Sequence, residues 1–255
     1  MAGGARAIDL NADVGESFGA YRIGEDEALI PLVTSVNVAC GFHAGDPLVI
    51  ERTIRRAVEA GAAVGAHPGY PDLAGFGRRA LSMKPDELES AVLYQIAAVA
   101  GIARAVGTEL RHVKAHGALY NRAARDPGVA RPIARAVRRF SGELVFVGLA
   151  GSVMNEVARD EGLTVAEEAF ADRGYRSDGT LVSRDEPGAI LPGPAETAEQ
   201  AVAIALDRRV RTVDGRWLEL PADTLCLHGD SPRAADRASA VRAALAAAGV
   251  DVRAR

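Results

Sequence analysis

The chain has 255 residues, 48% apolar and 25% charged, a globular composition that fits one large domain or two small ones with a sizeable core. A net charge of −4 and a pI near 5.8 supply no general electrostatic attraction to nucleic acid or anionic membrane. Cys40 and Cys226 are too few for a disulfide scaffold and too far apart for a zinc motif, the first residues hold no apolar signal segment, and no apolar run reaches membrane-spanning length; a soluble, cytoplasmic protein with reduced thiols is expected.

Short β-rich runs alternate with helical ones from end to end. Strands are predicted over 5–13, 33–42, 62–67, 109–116, 143–149, 163–170 and 223–229. Between them lie helical patterns with i, i+3, i+4 spacing, such as Leu88, Val92, Ile96, Val99 and Ala103. Three helices are expected to open on a capping residue followed by proline, at Asp46-Pro47, Asp126-Pro127 and Ser231-Pro232, because the cap satisfies orphan amides and proline pre-sets φ. Gly61, Gly107, Gly162 and Gly249 mark helix ends. The alternation predicts one α/β domain over 1–255 with a mainly parallel sheet. One segment breaks the rhythm: the Asp178-Gly179 turn signal within 171–193 predicts a hairpin insertion, either a flap over the mouth of the sheet or a surface loop.

The reactive residues fall at the C-terminal ends of the predicted strands, the edge where parallel α/β folds bind ligands. Asn11 and Asp13 end the first strand, His43 follows the second, His67 ends the third, Lys114 and His116 the fourth, and His228 with Asp230 the seventh. Lys114 is one of two lysines against 28 arginines, so it is expected to do something that a guanidinium cannot. Strand parity puts His112, Lys114 and His116 on one face. Three sharper motifs fail on context. GESFG at 15–19 lacks the strand-turn-helix of a nucleophile elbow, GFGRRA at 75–80 has no leading strand for a dinucleotide site, and neither lysine is followed by Ser or Thr as a P-loop requires. Cys40 has the parity of a packed hydrophobe, and Cys226 shares parity with His228 without an evident base.

Taken together, DLNADVGESFG (9–19), NVACGFHAGD (37–46), AHPGYPDLAGFGRR (66–79), HVKAHGALYN (112–121), FADRGY (170–175) and LCLHGD (225–230) resemble the LamB/YcsF family over essentially the whole chain. Ala115 departs from the proline usual there. The resemblance implies a seven-stranded distorted β/α (TIM-like) barrel of the glycoside hydrolase/deacetylase type. It further implies ATP-dependent opening of 5-oxo-L-proline to L-glutamate, ATP with Mg2+ whose site can lie on a partner, and two further 5-oxoprolinase subunits of B and C type; self-association is left open. Related deacetylases commonly carry N-A-D-D, whose second Asp binds metal; here the motif is Asn11-Ala12-Asp13-Val14, and valine cannot coordinate. A bound divalent metal is therefore open, with His67 and His116 as candidate ligands alongside Glu16 or His43, and activity is expected to survive chelation once magnesium is restored.

The catalytic assignment that follows makes Asp13 the general base and Lys114 the stabiliser of phosphate or oxyanion charge, with His116 or His228 protonating the ring nitrogen. Asn11, Glu16, His43, Arg79, Asp172 and Arg173 are candidates for substrate binding. The rival readings are a metal-dependent carbohydrate deacetylase and a non-catalytic substrate-binding subunit.

Overall fold

The computed structural model describes residues 6–229 and 233–254. Its strands are β1 (Ala7–Val14), β2 (Ser35–Ala39), β3 (Ala63–His67), β4 (Leu110–Lys114), β5 (Val145–Leu149), β6 (Val165–Phe170), β7 (Arg209–Arg211), β8 (Trp217–Glu219), β9 (Thr224–His228) and β10 (Asp251–Val252). β1 to β6 and β9 pair in parallel, and β9 pairs with both β6 and β1, so the seven-stranded sheet closes into a barrel. β10 extends the sheet beside the start of β1, and β7 and β8 form a separate antiparallel pair that the sequence pattern does not foreshadow. The helices are α1 (Asp26–Leu29), α2 (Pro47–Glu59), α3 (Pro85–Val106), α4 (Gly117–Ala123), α5 (Pro127–Phe140), α6 (Val153–Asp160), α7 (Pro194–Val202) and α8 (Ala234–Ala247).

Alternation along β1 shows how the barrel is filled. Ile8, Leu10, Ala12 and Val14 are buried apolar residues of the core. Asp9, Asn11 and Asp13 share the opposite face, point inward and are also buried. Ser35 and Asn37 on β2, His112 and Lys114 on β4, Glu168 on β6 and Thr224 and Cys226 on β9 continue this interior. Barrel interiors are ordinarily packed with branched aliphatics; this one is a hydrogen-bonded polar stack. Buried polar groups cost several kcal/mol unless partnered, and the partners are present. Asp9 accepts from Ser35 at 2.7 Å and Thr224 at 2.6 Å, and His112 Nε2 lies 2.8 Å from Asn37 Oδ1. His112 occupies the space that Gly65 leaves open, where a Cβ would lie 2.2 Å from its ring.

Two of the proline-opened helices form as expected. Asp46 caps α2 by accepting from the amides of Leu48 and Val49, and Asp126 caps α5 from Gly128. The Ser231-Pro232 opening and Asp230 lie outside the described residues. α3 is 22 residues long with a mean hydropathy of 1.2 over its most apolar window, enough by length and composition to cross a membrane. Here it lies against α5 and β3, burying Leu88, Val92, Ile96, Val99 and Ala103. Within 171–193, Tyr175 bridges Leu181 around the Gly179 turn (φ +83°) and Arg173 bridges Ile190.

Candidate active site

The loops after β1, β3, β4 and β6 and the 180–185 segment surround a cavity of about 700 Å³ at the C-terminal mouth of the barrel. Parallel register places Asn37 and His228 on either side of Asp13, and the wall continues through His67, Lys114 and Phe170. Lys114 Nζ lies 2.9 Å from Asp13 Oδ1, 2.8 Å from Glu168 Oε1 and 3.0 Å from Cys226 Sγ, and only 3% of its side chain is exposed. Burial would lower its pKa, but Asp13 and Glu168 outweigh that and hold the ammonium well above its ordinary value. Burial would raise Asp13, yet His67 and Lys114 beside it outweigh that and keep this carboxyl well below the usual range. Asn37 Nδ2 donates to Asp13 Oδ1 at 2.9 Å and fixes its rotamer.

Three imidazoles meet on one side of Asp13. His67 Nε2 lies 3.3 Å from Asp13 Oδ2 and 3.0 Å from His116 Nδ1; His116 Nδ1 is in turn 3.6 Å from Glu16 Oε1. The ring of His43 stacks on that of His116 with centroids 3.8 Å apart. Burial, reinforced by the neighbouring His67, lowers His116 to about 3. His43 is depressed by burial and by His116 and His67. On the other side, His228 Nδ1 lies 3.1 Å from both carboxylate oxygens of Asp172 and its ring stacks on Phe170. Asp172 stays below the usual carboxylate range because His228 and Arg173 outweigh its burial.

Among the described residues, two groups have the donor set and spacing to hold a metal ion: Glu16, His43, His67 and His116, whose ligand atoms lie within 4.8 Å of one another, and Asp13, Cys226 and His228.

The family model described as the LamB/YcsF family matches residues 8–255. The chain belongs to the LamB/YcsF family. It is 56% identical over 247 residues to the 5-oxoprolinase A subunit of Chloroflexus aggregans, covering 97% of this chain and 98% of that one. It is 49% identical over 245 residues to the 5-oxoprolinase A subunit of Thermococcus onnurineus, covering 96% of each. Among solved structures, the lactam utilization protein of Thermus thermophilus superposes with a TM-score of 0.93 at 48% identity, over 98% of this chain and all of that one. A barrel protein from Enterococcus faecalis, with a TM-score of 0.57 at 12% identity, shares the fold.

Not every residue singled out in this LamB/YcsF sequence lies where the motifs suggest. Asp13, Glu16, His67, Lys114, His116, Arg173 and His228 line the cavity. Arg79 does not: it pairs with Asp72, and its neighbour Arg78 faces the cavity instead. Asn11 sits one layer below the mouth, donating to Glu168 at 3.1 Å and Thr224 at 2.7 Å, so it holds the charge network rather than a ligand. Arg173 spends its guanidinium on the carbonyls of Ala189 and Val182, tying down the 171–193 segment. Asp172 faces His228, and His43 is fully enclosed. Ser17 exchanges hydrogen bonds with Ile23 in the loop after β1. Sequence reasoning missed Glu168, which is wholly buried and receives 2.6 Å and 2.8 Å contacts from Tyr120 and Lys114. The signal that could have found it was parity, since Glu168 falls in phase with Phe170 on β6.

Proposed function

We propose that this chain is the lactam-opening component of a cytoplasmic, ATP-dependent 5-oxoprolinase that works with two further subunits of B and C type. The overall reaction converts 5-oxo-L-proline, ATP and two waters to L-glutamate, ADP and phosphate. The observation that carries the reading is the buried Lys114 ammonium, held by Asp13 and Glu168 beside a cavity whose wall also presents His228 backed by Asp172. The names of the curated relatives and of the Thermus structure support the substrate class.

A five-membered lactam is a resonance-stabilised amide, and phosphorylation of its oxygen by ATP with Mg2+, at a site that a partner can supply, removes that resonance. Asp13 then orients water against the ring carbon and takes its proton. Because its carboxyl is held well below the usual range, Asp13 is a weak base, and more of the acceleration rests on Lys114 facing the charge that develops on oxygen. His228 hands a proton to the departing ring nitrogen, with Asp172 fixing its Nδ1 so that Nε2 is the working atom, and breaking the C–N bond leaves an acyl phosphate that the second water hydrolyses to the carboxylate and phosphate. His116 is the poorer donor of the two, because its pKa is lowered to about 3 and its Nε2 hydrogen is held by the Phe76 carbonyl.

The test is glutamate formation from 5-oxoproline and ATP by the purified chain, with and without the two neighbouring subunits. Turnover is expected only in the reconstituted mixture, and robust ATP-dependent glutamate release by the chain alone overturns its place in a multisubunit enzyme. If Asp13→Asn and Lys114→Ala leave reconstituted turnover intact, the chain only binds and delivers substrate; ATP-independent acetate release from an N-acetyl sugar would mark a deacetylase.

A further inference from the structure

Hydrogen-bond bookkeeping in the histidine cluster leaves two lone pairs facing each other. His67 Nδ1 lies 2.8 Å from the Lys114 carbonyl and His116 Nε2 lies 2.9 Å from the Phe76 carbonyl. A carbonyl only accepts, so both of these nitrogens carry hydrogens. In neutral rings the remaining nitrogens, His67 Nε2 and His116 Nδ1, are then bare acceptors, and they stand 3.0 Å apart with two carboxylate oxygens beside them, Asp13 Oδ2 3.3 Å from the first and Glu16 Oε1 3.6 Å from the second. Acceptors gathered this closely in a buried wall repel unless a cation lies among them. Beside them His43 is completely buried, and neither of its ring nitrogens has a hydrogen-bond partner among the described residues.

We infer that Glu16, His67 and His116 bind one divalent transition-metal ion of the zinc type, with His43 as the adjacent fourth donor and an open position toward the cavity. Ligands about 2.1 Å from a zinc ion stand roughly 3.0–3.4 Å apart in octahedral to tetrahedral arrangements, and the observed separations of 3.0 and 3.6 Å bracket that spacing. Two imidazoles and one carboxylate form the donor set of an open zinc site, whereas calcium and magnesium prefer all-oxygen cages. Each ligating ring is already oriented by a backbone carbonyl on its far nitrogen, as metal-bound histidines generally are. The other candidate group, Asp13 with Cys226 and His228, is excluded on charge. The Lys114 ammonium lies 2.9 Å from Asp13 and 3.0 Å from Cys226, and His228 Nδ1 is committed to Asp172. Val14 had removed the carboxylate from the expected position; Glu16, two residues further on, brings one back to the same cavity.

This inference rests on the same cavity as the proposed function but stands on metal binding alone. The purified full chain, stripped with dipicolinate and shown by circular dichroism to be folded, is titrated with Zn2+ by calorimetry and with Co2+ by visible absorption. About one equivalent is expected, with d–d bands of a four- or five-coordinate ion. Glu16→Gln, His67→Asn and His116→Asn should each weaken Zn2+ binding by more than about a hundredfold, while His228→Gln keeps the wild-type affinity. Thermal melts of each variant show whether a loss comes from the site or from unfolding, and Glu16→Gln preserves shape if either histidine variant fails to fold. A folded wild-type chain that takes up no stoichiometric Zn2+ or Co2+, or a loss of binding in His228→Gln rather than in the three ligand variants, overturns the site. A metal-binding chain that fails to support glutamate formation with its partners would count against the proposed function and leave this site standing.

Discussion

Lys114 illustrates what one side chain can reveal and what it hides. Its rarity and its place on β4 made it legible, but the sequence did not show that two carboxylates share it, Asp13 from β1 and Glu168 from β6. Glu167 and Glu168 are adjacent, and only the pleat separates them. Glu167 turns outward to Asn155 and Arg159, whereas Glu168 turns into the barrel. Lys114→Arg should be nearly as damaging as Lys114→Ala. A planar guanidinium is larger than the enclosure that Asp13, Glu168 and Cys226 form around a compact ammonium, and it cannot reproduce three convergent contacts. Loss of one such charge-stabilising contact typically costs on the order of a hundredfold in turnover. Alanine additionally leaves two buried carboxylates without their cation, a destabilisation of roughly 3–5 kcal/mol. Turnover with the partner subunits and thermal melts of both variants are the measurements; near-wild-type turnover of a folded Lys114→Arg protein would sink the assignment.

Among the elements, the histidine cluster is built from the loop after β2 (His43), the end of β3 (His67) and the loop after β4 (His116), and glycines in the loop after β3 let it pass close by. A Cβ on Gly69 would lie 2.6 Å from His43 Nδ1, and one on Gly77, at φ +62°, 2.8 Å from both His43 Cβ and His116 Cδ2. Gly61, at φ +72°, opens onto empty space. Both Gly77→Ala and Gly61→Ala carry the cost of a left-handed backbone, about 1–2 kcal/mol, but only Gly77→Ala also displaces the histidines. Gly77→Ala should therefore melt at a lower temperature than Gly61→Ala and lose Zn2+ affinity, which calorimetry on the paired variants checks; equal behaviour would mean that the loop yields freely. These close approaches were invisible in the sequence, where GFGRRA offered only a dinucleotide-motif match with no leading strand. The seven barrel strands were legible because each is a short, largely apolar run bounded by turn residues, and several of them carry a polar residue at or just past the same mouth. β7 and β8 were not, since RVR and WLE are three residues long, too short to show an alternating pattern, and pair with each other.

Across the whole molecule, the polar barrel interior ties stability to pH through histidines that fold into the neutral state. Burial, which outweighs the pull of Asp9 and is reinforced by the nearby Lys114 charge, lowers His112 to about 4; burial and His67 take His116 to about 3; and His43 is also depressed. In the unfolded chain these imidazoles take up protons near pH 6.5. Between there and pH 4 the unfolded state binds more protons than the native one, so stability falls as pH falls. The carboxylates act in a lower window. Asp13 and Asp172 have depressed folded pKa values, so their contribution is intact above about pH 3.8 and is lost only below it. Three protons set an upper limit of about 4 kcal/mol per pH unit in the histidine window, against a total stability on the order of 5–15 kcal/mol. With chelator present to keep metal from the cluster, urea melts should show stability dropping steeply from pH 6.5 to 5, well before Asp13 and Asp172 titrate. A flat profile over that range, with loss only below pH 4, would show that these imidazoles are already charged in the fold, and the tautomers that leave His67 Nε2 and His116 Nδ1 as bare acceptors would be wrong.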